Sequence, residues 1–406
     1  MRGGSIAVVG GSIAGCAAAR AAARGGAERI AVFERTGARL RDRGVGIGLH
    51  SDRYEELRAA GYITHELPWV PLARRVWSVR HDEDPYGRSV VEQPFPFRAY
   101  NWGSLWQELR SRVPGRVDYR TDAEVTEVEP DADGVTLRLA NGWQEHFDVV
   151  IGADGYRSVV REAMFPGTGA AYAGYIGWRG TSSDVADLPS DGNHACTVVF
   201  PGGHCMLYRI PDGLGGYRLN WVLYTRPPRI DGVDPDLRTP TSLPPGHLNS
   251  QLTEHLRALV TDNFPPYWAA KVLGTPADTT FIQPIYDVGV PHYASRRMAL
   301  IGDAASVARP HIGGGSVKAL QDATTLEAAL RTHETWGEAL EAYAAERGAI
   351  GAAMVALARR MGGAQVENTP DWSAMGRPEF EAWWQTQNEG PDRNSGFGGH
   401  ALKGRT

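Results

Sequence analysis

SIAVVGGSIAGCAAARAAARGGAERIAVFE, residues 5–34, reads as a strand, a glycine turn, a helix and a second strand. Ser5 to Val9 is a compact apolar run, Cys16 to Arg24 is helix-like, and Ile30 to Phe33 is a second buried strand ending in Glu34. Gly10, Gly11, Ser12, Ile13, Ala14 and Gly15 fill the turn. Glycines there allow a tight turn and let a pyrophosphate approach the backbone, while the helix N-terminus offsets its charge. Glu34 stands nineteen positions after Gly15, close to the spacing expected of a carboxylate on a ribose. The second glycine of the G-x-G-x-x-G pattern is Ser12, which is small and can donate its hydroxyl to a phosphate. The unit predicts a doubly wound α/β domain with a dinucleotide site. The blander alternative is a tight turn in such a sheet without a ligand.

Two later loops share this character. Asp148 to Ile151 runs into Gly152-Ala153-Asp154-Gly155, although a glycine-flanked aspartate at a strand end is also common in plain turns. Residues 299–330, ALIGDAASVARPHIGGGSVKALQDATTLEAAL, follow the strand-like start at Met298 with Gly302-Asp303. Pro310, His311, a triple glycine at Gly313 to Gly315 and an alanine-rich helical run from Ser316 come next. Unpaired backbone N–H groups point outward at such a helix start, which favours anions. Ligand-type loops almost three hundred residues apart suggest one long ligand gripped at both ends.

The chain has 406 residues, 42% hydrophobic and 22% charged, as expected of a globular protein with two domains or one interleaved pair. A net charge of −5 gives no reason to expect nucleic acid or an anionic membrane as partner. Cys16, Cys196 and Cys205 are odd in number and widely spaced; they fit a reducing cytoplasm, not a disulfide framework. A core strand is reached by Ile6, leaving no room for a signal peptide, and there is no run of about 18 apolar residues to span a bilayer. The twelve histidines are scattered without an i, i+4 pair, so no metal site is expected.

Residues 41–49 (RDRGVGIGL) read as a flexible loop, or as a segment along a phosphate or flat ring with Arg43 supplying charge. Ser51 to Ala60 reads as a short helix with Ser51 as N-cap. Pro68 to Phe97 and residues 172–228 alternate with period two, predicting antiparallel strands with one face in a core and one on a pocket. Asn101 to Arg112 has helical periodicity, and Val117 to Phe147 reads as a meander turned by Asp133-Gly134 and Asn141-Gly142. Gln251 to Asn263 is helix-like, Phe281 to Tyr286 is a last strand returning to the first domain, and Trp336 to Met361 is a long amphipathic helix. The last dozen residues are expected to be mobile. The expected division is a Rossmann-like domain made of 1–70, 98–170 and 282–361, an inserted antiparallel β-sheet domain made of 71–97 and 171–281, and a tail of 362–406.

Taken together, GGSIAG (10–15), GADG (152–155) and GDAA (302–305) resemble the FAD-dependent aromatic hydroxylases of the para-hydroxybenzoate hydroxylase type, over about residues 5–360. YAGYIGWRG (172–180), LNWVLY (219–224), FIQPIYD (281–287) and ARPHIGGGSVKA (308–319) look like the 2,6-dihydroxypyridine 3-hydroxylase branch. Here RPH–GG–KA replaces the P-x-x-G-Q-G-x-N of the wider family. Ser306 stands where many relatives have histidine, and Trp102 where many have an FAD-contacting arginine.

The resemblance implies an α/β FAD fold of the GR2 type with an inserted sheet and a long C-terminal helix. It implies FAD as cofactor, NAD(P)H and O2 as co-substrates, a small electron-rich aromatic or N-heteroaromatic substrate, and a monomer or homodimer. The reaction would be ring hydroxylation through a flavin C4a-hydroperoxide. Gly10 to Gly15 would line the pyrophosphate, and Glu34 would take the adenosine ribose with Arg35 beside it. Arg43 would lie near pyrophosphate or ribitol, Val125 near adenine, and Asp154, Gly302 and Asp303 along the cofactor, Asp303 on its ribitol. Pro310, Gly313, Gly314, Gly315, Ser316 and Val317 would wall the flavin, with backbone N–H groups stabilising developing negative charge. His311 is the first candidate for acid–base work, against a capping or packing role. His204, Tyr208, Trp221 and Tyr224 lie on strands expected to floor the substrate pocket, about half of them facing it by alternation. Lys318 reads as a solvent-facing residue of its helix. The alternatives are an epoxidase or Baeyer–Villiger oxygenase on the same scaffold, a flavin-binding protein without turnover, and an NAD-dependent dehydrogenase.

Overall fold

The computed structural model describes residues 3–37, 40, 45–82, 84–183, 192–230, 237, 243–388 and 397–400; Arg43 lies outside the described residues. The opening strand Ser5–Val9 sits inside a six-stranded sheet, paired in parallel with Arg29–Phe33 on one side and Val149–Gly152 on the other. Met298–Leu300 adds in parallel beyond Val149–Gly152. The three glycine loops, remote in sequence, therefore leave one sheet edge side by side. Parallel strands are covered on both faces and must be apolar throughout; Ile6, Ala7 and Val8 are fully buried. Asp118–Arg120 extends this sheet in parallel beside Arg29–Phe33. It thus leaves the expected meander, which consists of Val125–Pro130, Val135–Leu139 and Gln144–Phe147. Three residues are too short a run to reveal a parallel partner in sequence.

The helix Ile13–Arg24 begins inside the glycine turn, three residues before the expected Cys16. Its alanine face packs on the helix Gly315–Thr332, close enough that a Cβ on Gly25 would lie 2.6 Å from that of Leu330. Ser51–Ala59 is a helix, but its N-cap is His50, whose Nδ1 accepts the Asp52 N–H at 3.3 Å; Ser51 is already helical. Trp336–Gly362 begins with a reciprocal capping box of Thr335 and Glu338.

The second sheet has nine strands. Its order is Ser306–Val307, Phe281–Gly289, Ala171–Ser182, Tyr217–Thr225, Gly203–Pro211, His194–Phe200, Val70–Val79, Arg88–Asn101 and Gly46–His50. It is antiparallel except where His194–Phe200 meets Val70–Val79 in parallel. There, two hairpin systems from distant parts of the chain join. Phe281–Gly289 belongs to this sheet through Ala171–Ser182, and its end hands on to Ser306–Val307. Within the glycine-rich segment, Gly46–His50 is an edge strand, not a loop. One face of the sheet packs Trp178, Trp221 and Leu223 against Ser250–Asn263 and the additional helix Pro266–Leu273. The other face is left for a cavity.

The described residues beyond 362 pack more closely than their composition suggests, while 389–396 and 401–406 lie outside the described residues. Phe380, Trp383 and Trp384 of the helix Arg377–Asn388 pack with Trp77 and Trp372. Residues 397–400, expected to be mobile, are pinned: the Gly398 N–H donates to the Ile312 carbonyl at 2.8 Å, and Phe397 packs on Phe95 and Phe97. Among the described residues no helix is long and apolar enough to cross a membrane, and no group of three or more His, Cys, Asp or Glu could hold a metal.

Candidate active site

The first two glycine loops are pressed together. Gly10 has φ +96°, and a Cβ there would lie 2.4 Å from the Ala153 carbonyl oxygen. A Cβ on Gly15 would lie 1.9 Å from the Gly10 carbonyl oxygen. Only glycine fits either position without opening the turn. Gly11 serves as framework. Its N–H donates to Glu34 Oε2 at 2.7 Å, and its carbonyl accepts from the Tyr119 hydroxyl at 2.7 Å and Trp106 Nε1 at 3.0 Å. The other Glu34 oxygen accepts the Thr36 N–H at 2.9 Å and hydroxyl at 2.6 Å, so the carboxylate is fixed at the cavity wall. Ser12, the N-cap of Ile13–Arg24, makes no capping bond with its side chain.

Gly10, Ser12, Glu34 and Thr36 line a trough of about 390 Å³ together with Ile13, Ala14, Arg35, Trp102, Val125 and Asp154; Gly11 and Gly15, expected to line it, shape the turn from behind. Asp154 is less free than expected of a ligand. Its carboxylate accepts from Ser158 Oγ at 2.6 Å and the Val159 N–H at 2.7 Å, capping the helix Val159–Met164. Burial raises its pKa, while those bonds pull the other way.

The third loop is held from behind. Gly302 has φ +61°; its N–H donates to Asp322 Oδ2 at 3.0 Å, and its carbonyl accepts from Lys318 Nζ at 2.9 Å. Asp322 also accepts from Lys318 at 2.9 Å and Arg347 Nε at 2.7 Å. Lys318 is 2% exposed, so the solvent-facing expectation is wrong. Its helix is covered by both Ile13–Arg24 and Trp336–Gly362, and a cation buried there needs this pairing. Gly302 is therefore a wall support, while Asp303 next to it reaches the cavity.

A second cavity of about 350 Å³ lies under the nine-stranded sheet. Tyr156, Asp303, Gly315 and Ser316 line both cavities, so the two adjoin there. Gly313 has φ +60°, and a Cβ on Gly315 would meet nothing within 4 Å; the backbone itself forms the wall. The helix Gly315–Thr332 starts at this point and directs its free N–H groups there. Pro310, His311, Gly313 and Gly314 line the same cavity, but Val317 is fully buried behind it.

His204, Tyr208 and Tyr224 line the chamber as expected. Trp221 does not: it is 1% exposed on the opposite face, and its Nε1 donates to Thr275 Oγ1 at 2.8 Å. Period two decides this, since Leu219, Trp221 and Leu223 share the core face and Val222 and Tyr224 the other. His311 Nε2 lies 2.6 Å from the Tyr175 hydroxyl, and its Nδ1 has no protein partner. Its ring centroid lies 4.7 Å from that of Tyr224 and 5.2 Å from that of His204. Burial holds His311 well below the ordinary histidine range and pushes His204 down to about 3, so both are neutral.

Sequence reasoning missed Arg75, Arg179, Gln365 and Phe397, which also line the chamber. Arg179 follows core-facing Trp178 in WRG, so alternation alone could have placed it on the cavity face. No sequence period could have brought Gln365 or Phe397 here.

A dinucleotide trough on a parallel sheet, adjoining an aromatic chamber under a second sheet, defines a flavoprotein monooxygenase. A family model described as an FAD binding domain matches residues 260–358. The sequence is 30% identical over 345 residues to the 2,6-dihydroxypyridine 3-monooxygenase of Paenarthrobacter nicotinovorans, covering 82% of this chain and 84% of that one. It is 29% identical over 283 residues to 3-hydroxybenzoate 6-hydroxylase 2 of Aquipseudomonas alcaligenes, covering 68% and 82%. The structure of 2,6-dihydroxypyridine-3-hydroxylase from Arthrobacter nicotinovorans superposes with a TM-score of 0.78 at 26% identity, covering 92% of this chain and 96% of that one. The chain belongs to the family of FAD-dependent aromatic hydroxylases, and FAD is its cofactor.

Proposed function

We propose that the protein hydroxylates a small electron-rich aromatic or N-heteroaromatic ring with NAD(P)H and O2. The observation that carries this is the sharing of Asp303, Gly315 and Ser316 by trough and chamber, so that a long cofactor lying in the trough would reach an aromatic-lined space. Bound FAD would supply the redox chemistry of the hydroxylation, with NAD(P)H and O2 as co-substrates.

The chain's own residues bind, orient and exclude water. Gly10, Ser12 and the first turn of Ile13–Arg24 hold the pyrophosphate. Glu34, already oriented by Gly11 and Thr36, takes the ribose with Arg35 at the mouth, and Val125 packs on adenine. Asp303 binds ribitol hydroxyls. The backbone of Gly313 to Ser316 walls the flavin, and its N–H groups stabilise negative charge developing there. His311, held by Tyr175, orients a ring hydroxyl by hydrogen bonding. A histidine so far below the ordinary range is a weak base, which favours this positioning role over proton abstraction. In this reading residues 1–70, 98–170 and 282–361 carry the cofactor and 71–97 with 171–281 the substrate, with Gly46–His50, Phe281–Gly289 and the His311 loop of the first set also walling the chamber. Gln365 and Phe397 add to the chamber from the last segment.

The test is a screen of hydroxylated N-heterocycles and fused aromatics on the FAD-loaded protein, following NAD(P)H oxidation and oxygenated product. A ring compound that accelerates oxidation and gains one oxygen is the expected result. Hydrogen peroxide alone across the whole screen, or no turnover, defeats the reading.

A further inference from the structure

The long helix ends in a π turn at the chamber. Trp336–Gly362 runs on into Gly363–Glu367, which closes with the Asn368 N–H on the Gly363 carbonyl at 2.8 Å. Such turns are rare, and where they occur they often serve a site. The backbone of this one is fixed from three sides. The Gln365 carbonyl accepts from His204 Nδ1 at 3.4 Å, Val366 packs with Tyr175 and Tyr224, and Glu367 Oε1 accepts from Arg309 Nη1 at 3.0 Å. The side chain of Gln365 is not held in this way. Gln365 is 1% exposed and lines the chamber, yet its Oε1 and its Nε2 both lack a hydrogen-bond partner in the protein. Among the described residues of the chamber wall it is the one with a buried donor and a buried acceptor both left over.

A buried amide without partners costs free energy, and a ligand that brings the matching groups removes that cost. A primary carboxamide presents a C=O acceptor and an N–H donor side by side. The N–H and C=O of a cyclic amide have the same spacing, so the two pair in one plane through two hydrogen bonds. A phenol can satisfy only one of the two atoms at a time. We propose that Gln365 is a specificity-determining residue of the chamber and takes the substrate ring by a cyclic-amide edge. Its Oε1 accepts from the ring N–H, and its Nε2 donates to the adjacent ring carbonyl. His311, whose Nδ1 is also unpartnered, is left for a ring hydroxyl. This rests on the aromatic-substrate reading above and narrows it to N-heteroaromatic rings with an oxygen beside the nitrogen, bound as the amide tautomer.

The test uses binding and stability, not turnover. The FAD-loaded protein is titrated at pH 7 with two pairs of isomers, 2-hydroxypyridine against 3-hydroxypyridine and 2-hydroxyquinoline against 3-hydroxyquinoline, reading the change in flavin absorbance. In water the 2-isomers are cyclic amides; the 3-isomers, equal in size, have no such form. The 2-isomer of at least one pair is expected to bind on the order of tenfold more tightly than its partner. Gln365→Met, similar in length but without donor or acceptor, is expected to bring that ratio to about one. With no ring compound present, Gln365→Met is expected to unfold in denaturant at the wild-type midpoint or above it, because an apolar group of like shape replaces an unpartnered amide. A glutamine that only holds the fold together would lower the midpoint. Equal binding within both pairs, no binding of either 2-isomer, a ratio kept by Gln365→Met, or a lowered midpoint each overturns the inference. The wild-type titration decides the matter even where the variant fails to fold. Preference for the 2-isomers without oxygenated product from any ring would defeat the hydroxylase reading and leave this one standing; product without preference would do the reverse.

Discussion

Gly15 carries the least tolerant atom position of the first glycine turn. A methyl group there would stand 1.9 Å from the Gly10 carbonyl oxygen, so Gly15→Ala must open the turn that receives the pyrophosphate. The expected outcome is a weakening of FAD binding by about a hundredfold, ~2.7 kcal/mol, read as loss of flavin absorbance on gel filtration. In the chamber, His311→Ala is expected to lower kcat/KM by about a hundredfold through misplacement of the ring. Because His311 is neutral, His311→Gln should leave the shape of the pH–rate profile unchanged; a lost limb would show that it takes the proton instead. The glycine loops were legible because their meaning is local, a backbone position that excludes a side chain. Arg75 was not, and alternation could give only the face of Arg179, because an arginine acquires meaning from what faces it.

The helix Gly315–Thr332 shows the same contrast at the next scale. Its start was readable from the glycines and the alanine-rich run. Lys318, read as solvent-facing, is instead buried in a triad with Asp322 and Arg347 that holds both polar groups of the Gly302 backbone. Asp322 is the one carboxylate shared by two buried cations, so Asp322→Asn leaves both uncompensated and is expected to cost about 3–5 kcal/mol. A denaturant titration measures that loss, and FAD retention should fall with it because the Asp303 loop is no longer fixed. An unchanged midpoint would mean that the triad contributes nothing net. The strand Tyr217–Thr225 gave a readable alternation, but whether Trp221 or Tyr224 faced the chamber depended on which side the helix Ser250–Asn263 covers.

At the scale of the molecule, pH and the last segment are the informative variables. His204 takes a proton near 6.5 in the unfolded chain but only at about 3 in the fold. Between those values the unfolded chain binds more protons. Stability is therefore complete above 6.5 and falls as pH drops, by about 1.4 kcal/mol per pH unit for each such histidine. His311 adds a second contribution in the same direction. Unfolding free energies measured from pH 7 to 4 should show this slope, and His204→Phe should reduce it. Truncation after Asn388 removes Phe397 from the chamber wall and Gly398 from its bond to Ile312. More hydrogen peroxide per NAD(P)H consumed is expected, since the chamber would admit water; unchanged coupling would assign the segment to stability alone.

The sequence by itself determined the strand–turn–helix unit, the three glycine loops and hence an α/β fold with a dinucleotide site; FAD followed from the resemblance that the three loops together carry. Each is a short-range pattern of backbone freedom and apolar period, and such patterns survive without knowledge of distant partners. Only the tertiary structure decided that Lys318 turns inward, that Trp221 turns away, that Phe397 joins the chamber wall and that Arg75 and Arg179 line it with no carboxylate partner among the described residues. Burial and charge pairing are properties of groups far apart in the chain, so folding has to bring them together before either can be read.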